Sequence, residues 1–152
     1  MTTPQTPTRP ELATEFVPLA RGVWHLAEYL TIPETPAGTR VIVEITQGRL
    51  EGDRFRASIK GAASADWLTI GPGGIGTVDF RGTLETDDGA LVYLYGPGRC
   101  DLSGGMGRQS PLYGGALFET ADERYRWLNG IAAAWKGVVV DGVLYDEYFE
   151  LR

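Results

Sequence analysis

Cysteine and histidine are almost absent from this sequence of 152 residues, which contains one of each, Cys100 and His25. A single cysteine excludes an internal disulfide framework and a cysteine-rich zinc site. A single histidine excludes a histidine-rich metal site, and any catalytic triad would have to use it as the base. The chain also lacks the G-x-S-x-G segment that is typical of serine hydrolases. We therefore expect no metal and no cofactor.

Positive charge is scarce as well, with 14 Lys and Arg residues against 20 Asp and Glu residues and a net charge of −6. Nucleic acids and anionic membrane surfaces attract clustered Lys and Arg, so we expect neither as a partner. No run approaches the roughly 18 apolar residues of a membrane helix. The N-terminal segment MTTPQTPTRPELATEF lacks the apolar stretch of a signal peptide. These absences predict a soluble, cytoplasmic protein.

Glycine and proline are abundant instead, with 21 and 9 residues, which favours a fold with many tight turns. Residues 1–14 are polar and are predicted to form a flexible tail, so that residues 15–152 form one β domain. Apolar and polar residues alternate over 77–86, as in a strand with one buried face. The turn signal DDG at 87–89 and the apolar segment 90–96 complete a predicted hairpin.

One helix is predicted, at about 121–129. Thr120 and Glu123 form a capping-box pattern, and Gly130 follows at the expected end of the helix. The glycine-rich segment 98–115 is predicted to be a long mobile loop. Together these features predict a mainly β protein, an antiparallel barrel or sandwich of about eight to ten strands that carries one short helix.

The segment GPGGIG at 71–76 matches the G-x-G-x-x-G fingerprint of dinucleotide-binding proteins. In that fold the last glycine opens a helix that binds pyrophosphate. Here Gly76 is followed by the strand pattern at 77–86, and no βαβ pattern surrounds it. We therefore interpret the segment as a glycine-rich turn between strands.

A polar strand face is the first candidate site, because residues two apart on a strand point the same way. This face of segment 77–86 carries Asp79, Arg81, Thr83 and Glu85. If it lies outside, it is ordinary solvated surface. If it lines a cavity, the carboxylate beside the guanidinium is suited to proton transfer and anion binding.

Several other residues are candidates for substrate binding. Arg40 opens a strand and offers a second positive charge, and Tyr93 and Tyr95 lie on the strand that should pair with 77–85. Such tyrosines either donate hydrogen bonds to a substrate or serve as amphipathic core residues. Asp66 and Trp67 either cap a turn and fill the core or line the mouth of a pocket, and His25 is either packed or a general base. The substrate-binding candidates are therefore His25, Arg40, Asp66, Trp67 and Tyr95.

The chain resembles the DUF3237 family, also called UPF0311, from about Phe16 to its C-terminus. The resemblance is carried by TPAGTRVIVEITQGRLEG (35–52), SADW (64–67), VDFRGTLETDDGALVYL (78–94), LFETADERYRWLNG (117–130) and GVLYDEYFEL (142–151). It implies a calycin-like antiparallel β-barrel with a central cavity, no cofactor or metal, and a homo-oligomer, for which a dimer is expected. The recurring polar positions of the family correspond to Arg40, Asp66, Asp79, Arg81, Asp88, Tyr93 and Glu119.

The expected function is a cofactor-independent enzyme of lyase, isomerase or hydratase type, acting by acid–base proton transfer on a small aromatic or apolar carbonyl compound in the barrel. Asp79 or Glu119 is the candidate base, and Arg81 or Tyr93 is the candidate donor to the substrate oxygen. One alternative is a barrel that binds a small hydrophobic ligand without turnover. Another is a structural role in self-assembly. If the polar face of 77–85 is buried inside the barrel beside Tyr93, it supports catalysis; if it is exposed to solvent, it supports the two alternatives.

Overall fold

A computed structural model describes residues 8–106 and 108–152 and contains ten antiparallel strands in one sheet. Of the predicted tail, residues 1–7 lie outside the described residues, whereas residues 8–14 are exposed and have no regular secondary structure. The strands are β1 (Phe16–Leu26), β2 (Leu30–Thr35), β3 (Gly38–Glu51), β4 (Arg56–Ile59), β5 (Ala65–Ile70), β6 (Ile75–Thr86), β7 (Leu91–Asp101), β8 (Leu112–Glu119), β9 (Ala133–Val140) and β10 (Val143–Leu151).

The sheet closes on itself because β1 pairs with β10 on one side and with β3 on the other. The long strand β3 makes this possible: its first half pairs with β2 and β5, and its second half pairs with β1 and β4. Thus β1 and β2 share one position in the ring, and β4 and β5 share another. The result is an eight-stranded barrel, which confirms the predicted fold class.

Strict alternation decides which side chains enter the barrel. On β6, Val78 and Leu84 are buried inside, whereas the polar residues between them point outwards, as expected for a strand with one apolar face. At one end of the barrel the interior is closed by a packed core of fully buried side chains, which includes Leu50, Leu84, Val92, Leu94 and Leu128. Burying each such side chain stabilises the fold by roughly 1.5–3 kcal/mol.

The predicted helix is shorter than expected and of another type. The segment forms turns followed by a 3₁₀ helix at Arg126–Gly130. Thr120 does accept a hydrogen bond from the backbone N–H of Asp122 (3.2 Å), but the side chain of Asn129 binds the backbone of Thr120 at both its N–H and its carbonyl. These two contacts fold the segment back on itself, and it covers the packed end of the barrel with Trp127 and Leu128.

Two predicted loops have different outcomes. The GPGGIG segment is a turn between β5 and β6 with a short 3₁₀ turn at Pro72–Gly74, as predicted. Gly74 has φ 80°, and a Cβ there would lie 2.6 Å from the Cα of Ser103.

The prediction of a loop over 98–115 was wrong at both ends, because β7 continues to Asp101 and β8 begins at Leu112. Glycines at these positions let the indole of Trp135 pack against the strands, since a Cβ on Gly98 or Gly114 would meet it.

Candidate functional site

The end of the barrel opposite the packed core contains an open cavity of about 580 Å³. This volume is typical of pockets for small molecules. Most of the wall is apolar, and five aromatic side chains contribute to it: Trp24, Tyr29, Phe80, Trp135 and Tyr148. Trp24 and Phe80 pack against each other with ring centroids 5.7 Å apart.

Two carboxyl groups, Asp66 and Asp146, interrupt this apolar wall from inside. Asp66 lies on β5 and Asp146 on β10, three positions apart around the ring by way of β1 and β3. Both side chains point into the barrel because each shares its face with an apolar neighbour two residues away, Leu68 and Leu144 respectively. An apolar cavity with a few convergent polar groups is the usual form of a ligand site.

Asp146 is held rigidly. It is 5% exposed, and its two carboxylate oxygens accept hydrogen bonds from the indole Nε1–H of Trp24 at 3.0 Å. The hydroxyl of Tyr148 donates to Oδ2 at 2.9 Å. Gly22 makes room for the group, because a Cβ there would overlap Asp146 Oδ1 and Trp24 Nε1. Burial raises the pKa of Asp146 to about 6, although the bonds from Trp24 and Tyr148 favour the carboxylate and act in the opposite direction.

Asp66 is held on one side only. Its Oδ1 accepts a hydrogen bond from the backbone N–H of Asp79 at 2.8 Å, and its other oxygen has no hydrogen-bond partner among residues 8–106 and 108–152. Burial raises the pKa of Asp66 to about 6; the nearby Asp79 carboxylate adds to this rise, while the bond from the Asp79 backbone and the charge of Arg40 oppose it. Asp66 therefore offers the cavity an oxygen that can take or give a proton near neutral pH.

Tyr29 lies on the same level of the wall as Asp66. Leu30 pairs with Ile42, which places Tyr29 beside Val43, and Val43 pairs with Asp66. The Tyr29 hydroxyl has no hydrogen-bond partner within the part of the chain that the structure describes. Burial raises the pKa of Tyr29, so its hydroxyl keeps its proton at neutral pH and is available as a donor.

The mouth of the cavity lies between residues 27–29, which connect β1 to β2, the β9–β10 turn and the segment after β7. It carries Glu28, Asp141 and Arg108. The thiol of Cys100 lies in the wall, and burial raises its pKa to about 11, so it stays protonated and is a poor nucleophile. Within the described residues, no group of three or more His, Cys, Asp or Glu side chains is arranged to hold a metal ion.

The candidate catalytic residues from the sequence lie on the outside of the barrel. Arg81, Tyr93 and Glu119 do come together, with Tyr95 and Leu117, in an open surface groove of about 270 Å³. Arg81 is paired with Asp79 at 3.2 Å, and this pair is on the outer face of β6. The hydrogen bond from Arg81 to Asp79 raises the pKa of the guanidinium, which stays charged. The polar face of β6 is therefore solvated strand surface.

The candidate substrate-binding residues are also dispersed. Trp67 is exposed, Arg40 donates from Nη1 to the Trp67 carbonyl at 2.7 Å, and His25 is exposed at the end of β1. Asp88 forms hydrogen bonds with Thr86, Tyr125 and Arg124 at the β6–β7 turn. Of the nine candidates named from the sequence, Asp66 lines the cavity. Asp146 and Tyr29 were missed, although the alternation in VLYDEYFEL does place Asp146 on one face with Leu144 and Tyr148.

No helix among the described residues is long and apolar enough to cross a membrane.

Comparison with known proteins identifies relatives over nearly the whole chain. A family model described as a protein of unknown function, DUF3237, matches residues 14–149. A UPF0311 protein of Bradyrhizobium diazoefficiens is 29% identical over 119 residues, which cover 68% of this chain and 74% of the relative.

Solved structures share the barrel. A β-barrel-like protein from Acinetobacter baumannii AYE has a TM-score of 0.85 at 27% identity, and the match covers 95% of this chain and 100% of that one. A conserved protein of unknown function from Rhodopseudomonas palustris has a TM-score of 0.83 at 19% identity, over 93% and 100% of the two chains. An enzyme from Penicillium herquei has a TM-score of 0.62 at 20% identity, over 97% and 100%.

Proposed function

The chain belongs to the DUF3237 family, a family described as being of unknown function, and from the chemistry of its cavity we propose that it is a cofactor-independent enzyme of proton transfer. Its substrate is a small aromatic or apolar carbonyl compound that binds in the barrel. The observation that carries this proposal is the position of Asp66 and Tyr29 at one level of an apolar cavity. A carboxyl with a free oxygen and a phenol with a free hydroxyl are the groups that an acid–base reaction requires.

The two residues have separate roles. The Asp66 carboxylate removes a proton from the carbon next to the substrate carbonyl, and the Tyr29 hydroxyl donates a hydrogen bond to the oxygen that becomes enolate-like. The Asp66 carboxylic acid then returns the proton to the same carbon or to another, which gives exchange or isomerisation without any other reactant. Because most of the surrounding wall is apolar, the hydrogen bond from Tyr29 is stronger here than in solvent, and losing such a donor costs roughly 3 kcal/mol in the barrier.

The fold is compatible with catalysis, since a structural neighbour from Penicillium herquei is described as an enzyme. Because Asp79 and Glu119 lie outside the barrel, the proposed base is Asp66, and because Arg81 and Tyr93 also lie outside, the proposed donor is Tyr29. Loss of water from, or addition of water to, a carbonyl compound uses the same two groups, so the lyase and hydratase types stay within the proposal.

The test is hydrogen exchange at a carbon next to a carbonyl. The protein is incubated with 1-tetralone, an aromatic ketone, in heavy water, and the loss of the proton signal is followed by NMR. The wild type should accelerate exchange; Asp66→Asn should reduce the rate by at least about 100-fold and Tyr29→Phe by roughly 100-fold. The matched control is Glu147→Gln, which changes a carboxylate on the outer face of β10, next to Asp146 in sequence.

The alternative is a barrel that binds a small hydrophobic ligand without turnover. The volume and the mostly apolar wall of the cavity favour it, because neither feature requires a reaction. Native mass spectrometry of the purified protein, together with a thermal-shift screen of aromatic enones, lactones and hydroxy ketones, identifies ligands in either case. A ligand that binds in the cavity but exchanges no proton in any of these carbonyl classes would favour the binding barrel and contradict the enzyme.

A further inference from the structure

The cavity has an uneven distribution of charge. Four acidic side chains line it, Asp66 and Asp146 inside and Glu28 and Asp141 at the mouth, whereas Arg108 at the mouth is the one basic side chain in the described part of its lining. The two inner carboxyls are therefore surrounded by apolar and aromatic groups. A charge in such surroundings is strongly disfavoured unless an opposite charge approaches it.

The partners of the two inner carboxyls are neutral. Asp146 receives hydrogen bonds from Trp24 and Tyr148, and Asp66 receives one from the backbone of Asp79. Arg40 lies on the outer side of the wall, where its guanidinium binds the Trp67 carbonyl; its charge lowers the pKa of Asp66 without forming a salt bridge with it. Neither carboxyl has a salt-bridge partner among the described residues.

Another buried carboxyl, Glu150, is paired with arginines at the other end of the barrel. Glu150 lies on the same strand and the same face as Asp146, and it is 7% exposed. Arg54 donates to it at 2.8 Å and Arg152 at 3.1 Å. Glu150 lies at the packed end, where the stacking of Arg54 on Trp127 at 3.5 Å closes the interior. In the cavity, by contrast, Asp146 is buried without a salt-bridge partner, and the half-buried Asp66 also forms no salt bridge among the described residues.

The aromatic wall favours the same kind of ligand. The face of an aromatic ring carries partial negative charge and attracts a cation placed over it. Trp24, Phe80 and Trp135 contribute such rings to the cavity.

We infer that the cavity selects a positively charged ligand, an aromatic or polycyclic amine whose ammonium group supplies the cation that Asp66 and Asp146 lack. The inference rests on the proposed function for its site, and it adds a protonated amine to the apolar carbonyl substrate. Its ring system occupies the apolar wall, and its ammonium group lies against one of the inner carboxyls.

The test uses three probes with one ring system and different charge: naphthalen-2-ylmethylamine, naphthalen-2-ylmethanol and 2-naphthoate. Affinities are measured by isothermal titration calorimetry at a pH of about 8, where the carboxyls are ionised. The amine should bind at least about tenfold more tightly than the alcohol, and the naphthoate most weakly. About 0.5 M salt should leave this order unchanged, because salt screens the exposed charges of the protein far more than buried ones.

The variants assign the preference to the two carboxyls. Asp66→Asn and Asp146→Asn should each reduce the ratio of amine to alcohol affinity, and the double variant should abolish it. Each single variant is an independent test in case the double variant does not fold. Glu147→Gln, which removes an exposed carboxylate, should leave the ratio unchanged.

Equal or tighter binding of the alcohol or the naphthoate would overturn the inference, as would a double variant that keeps the preference. Exchange of the neutral 1-tetralone is measured separately. If exchange occurs but the amine is not preferred, the charge selection fails and the enzyme proposal stands. If the amine is preferred but no exchange occurs, the charge selection stands and the enzyme proposal fails.

Discussion

Replacement of Asp146 with asparagine should change how the stability of the barrel depends on pH. In the folded protein, burial raises the pKa of Asp146 from its ordinary value of 3.8 to about 6. The folded state therefore binds this proton more tightly than the unfolded state does. The resulting stabilisation is complete below about pH 4 and is lost as the pH rises through about 6.

The size of the effect follows from that difference in pKa, which corresponds to about 3 kcal/mol in full and to about 2.5 kcal/mol between pH 4 and pH 8. The groups that face Asp146 do not titrate in this range, since they are the indole of Trp24, the backbone of Gly22 and the hydroxyl of Tyr148, whose pKa is raised well above 10. Asparagine has nearly the same shape but no charge. Its NH₂ group will oppose one of the donors, at a cost that is the same at every pH.

The assay is equilibrium unfolding in urea at several pH values between about 4 and 8, for the wild type and Asp146→Asn. The free energy of unfolding of the variant, relative to the wild type, should rise by about 2.5 kcal/mol across this range. Asp66 titrates in both proteins, so its contribution cancels. Glu147→Gln, on the outer face of the same strand, is the control. A difference between variant and wild type that stays constant to within about 1 kcal/mol would refute the account of Asp146 as a buried, cation-free carboxyl.

Three further outcomes are expected. The rate of proton exchange should rise with pH through about 6 and then level, because the carboxylate form of Asp66 is the base; an NMR exchange profile measures it. Gly22→Ala should destabilise the barrel by roughly 1–3 kcal/mol in urea unfolding, because its Cβ would displace the carboxyl of Asp146; an unchanged midpoint would contradict the contact. The Cys100 thiol, whose pKa is raised to about 11 by burial, should react slowly with Ellman's reagent until the protein is unfolded in urea.

The alternation of apolar and polar residues is sufficient to predict the two faces of β6, but it does not show whether the polar face contacts solvent or lines a cavity. Val78, Phe80 and Leu84 occupy the apolar positions of this alternation, and they do point inwards. The same pattern is compatible with a polar face that lines a second cavity, so alternation alone could not exclude a role for Asp79 and Arg81. That choice depends on the closure of the ring, which requires pairing between strands far apart in the sequence.

The environment of Asp146 illustrates what a local pattern cannot provide. Its partner Trp24 is 122 residues away, and the space for its carboxyl exists because residue 22 is a glycine. A carboxyl between Leu144 and Tyr148 on an alternating strand is nevertheless a recognisable signal, since the pattern demands an apolar residue there. Glu150 lies four residues further along the same inner face and carries the same signal. The pattern alone therefore does not distinguish a carboxyl that faces the cavity from one that is paired at the packed end.

Asp146 and Glu150 show that the two ends of the barrel treat an inner carboxyl differently. Both carboxyls lie on the inner face of β10, and both are nearly buried. At the packed end two arginines neutralise Glu150, and the bonds from Arg152 are the main cause of its lowered pKa. At the open end the chain supplies only neutral donors to Asp146, and its pKa is raised. A buried carboxylate that receives hydrogen bonds from neutral donors alone lowers the stability of the fold, whereas the ion pairs of Glu150 at the packed end help to hold the strands together. The loss of stability caused by a buried charge without a cation is therefore confined to the open end, where a ligand could offset it. This is the distribution expected if the open end binds a ligand and the packed end stabilises the fold.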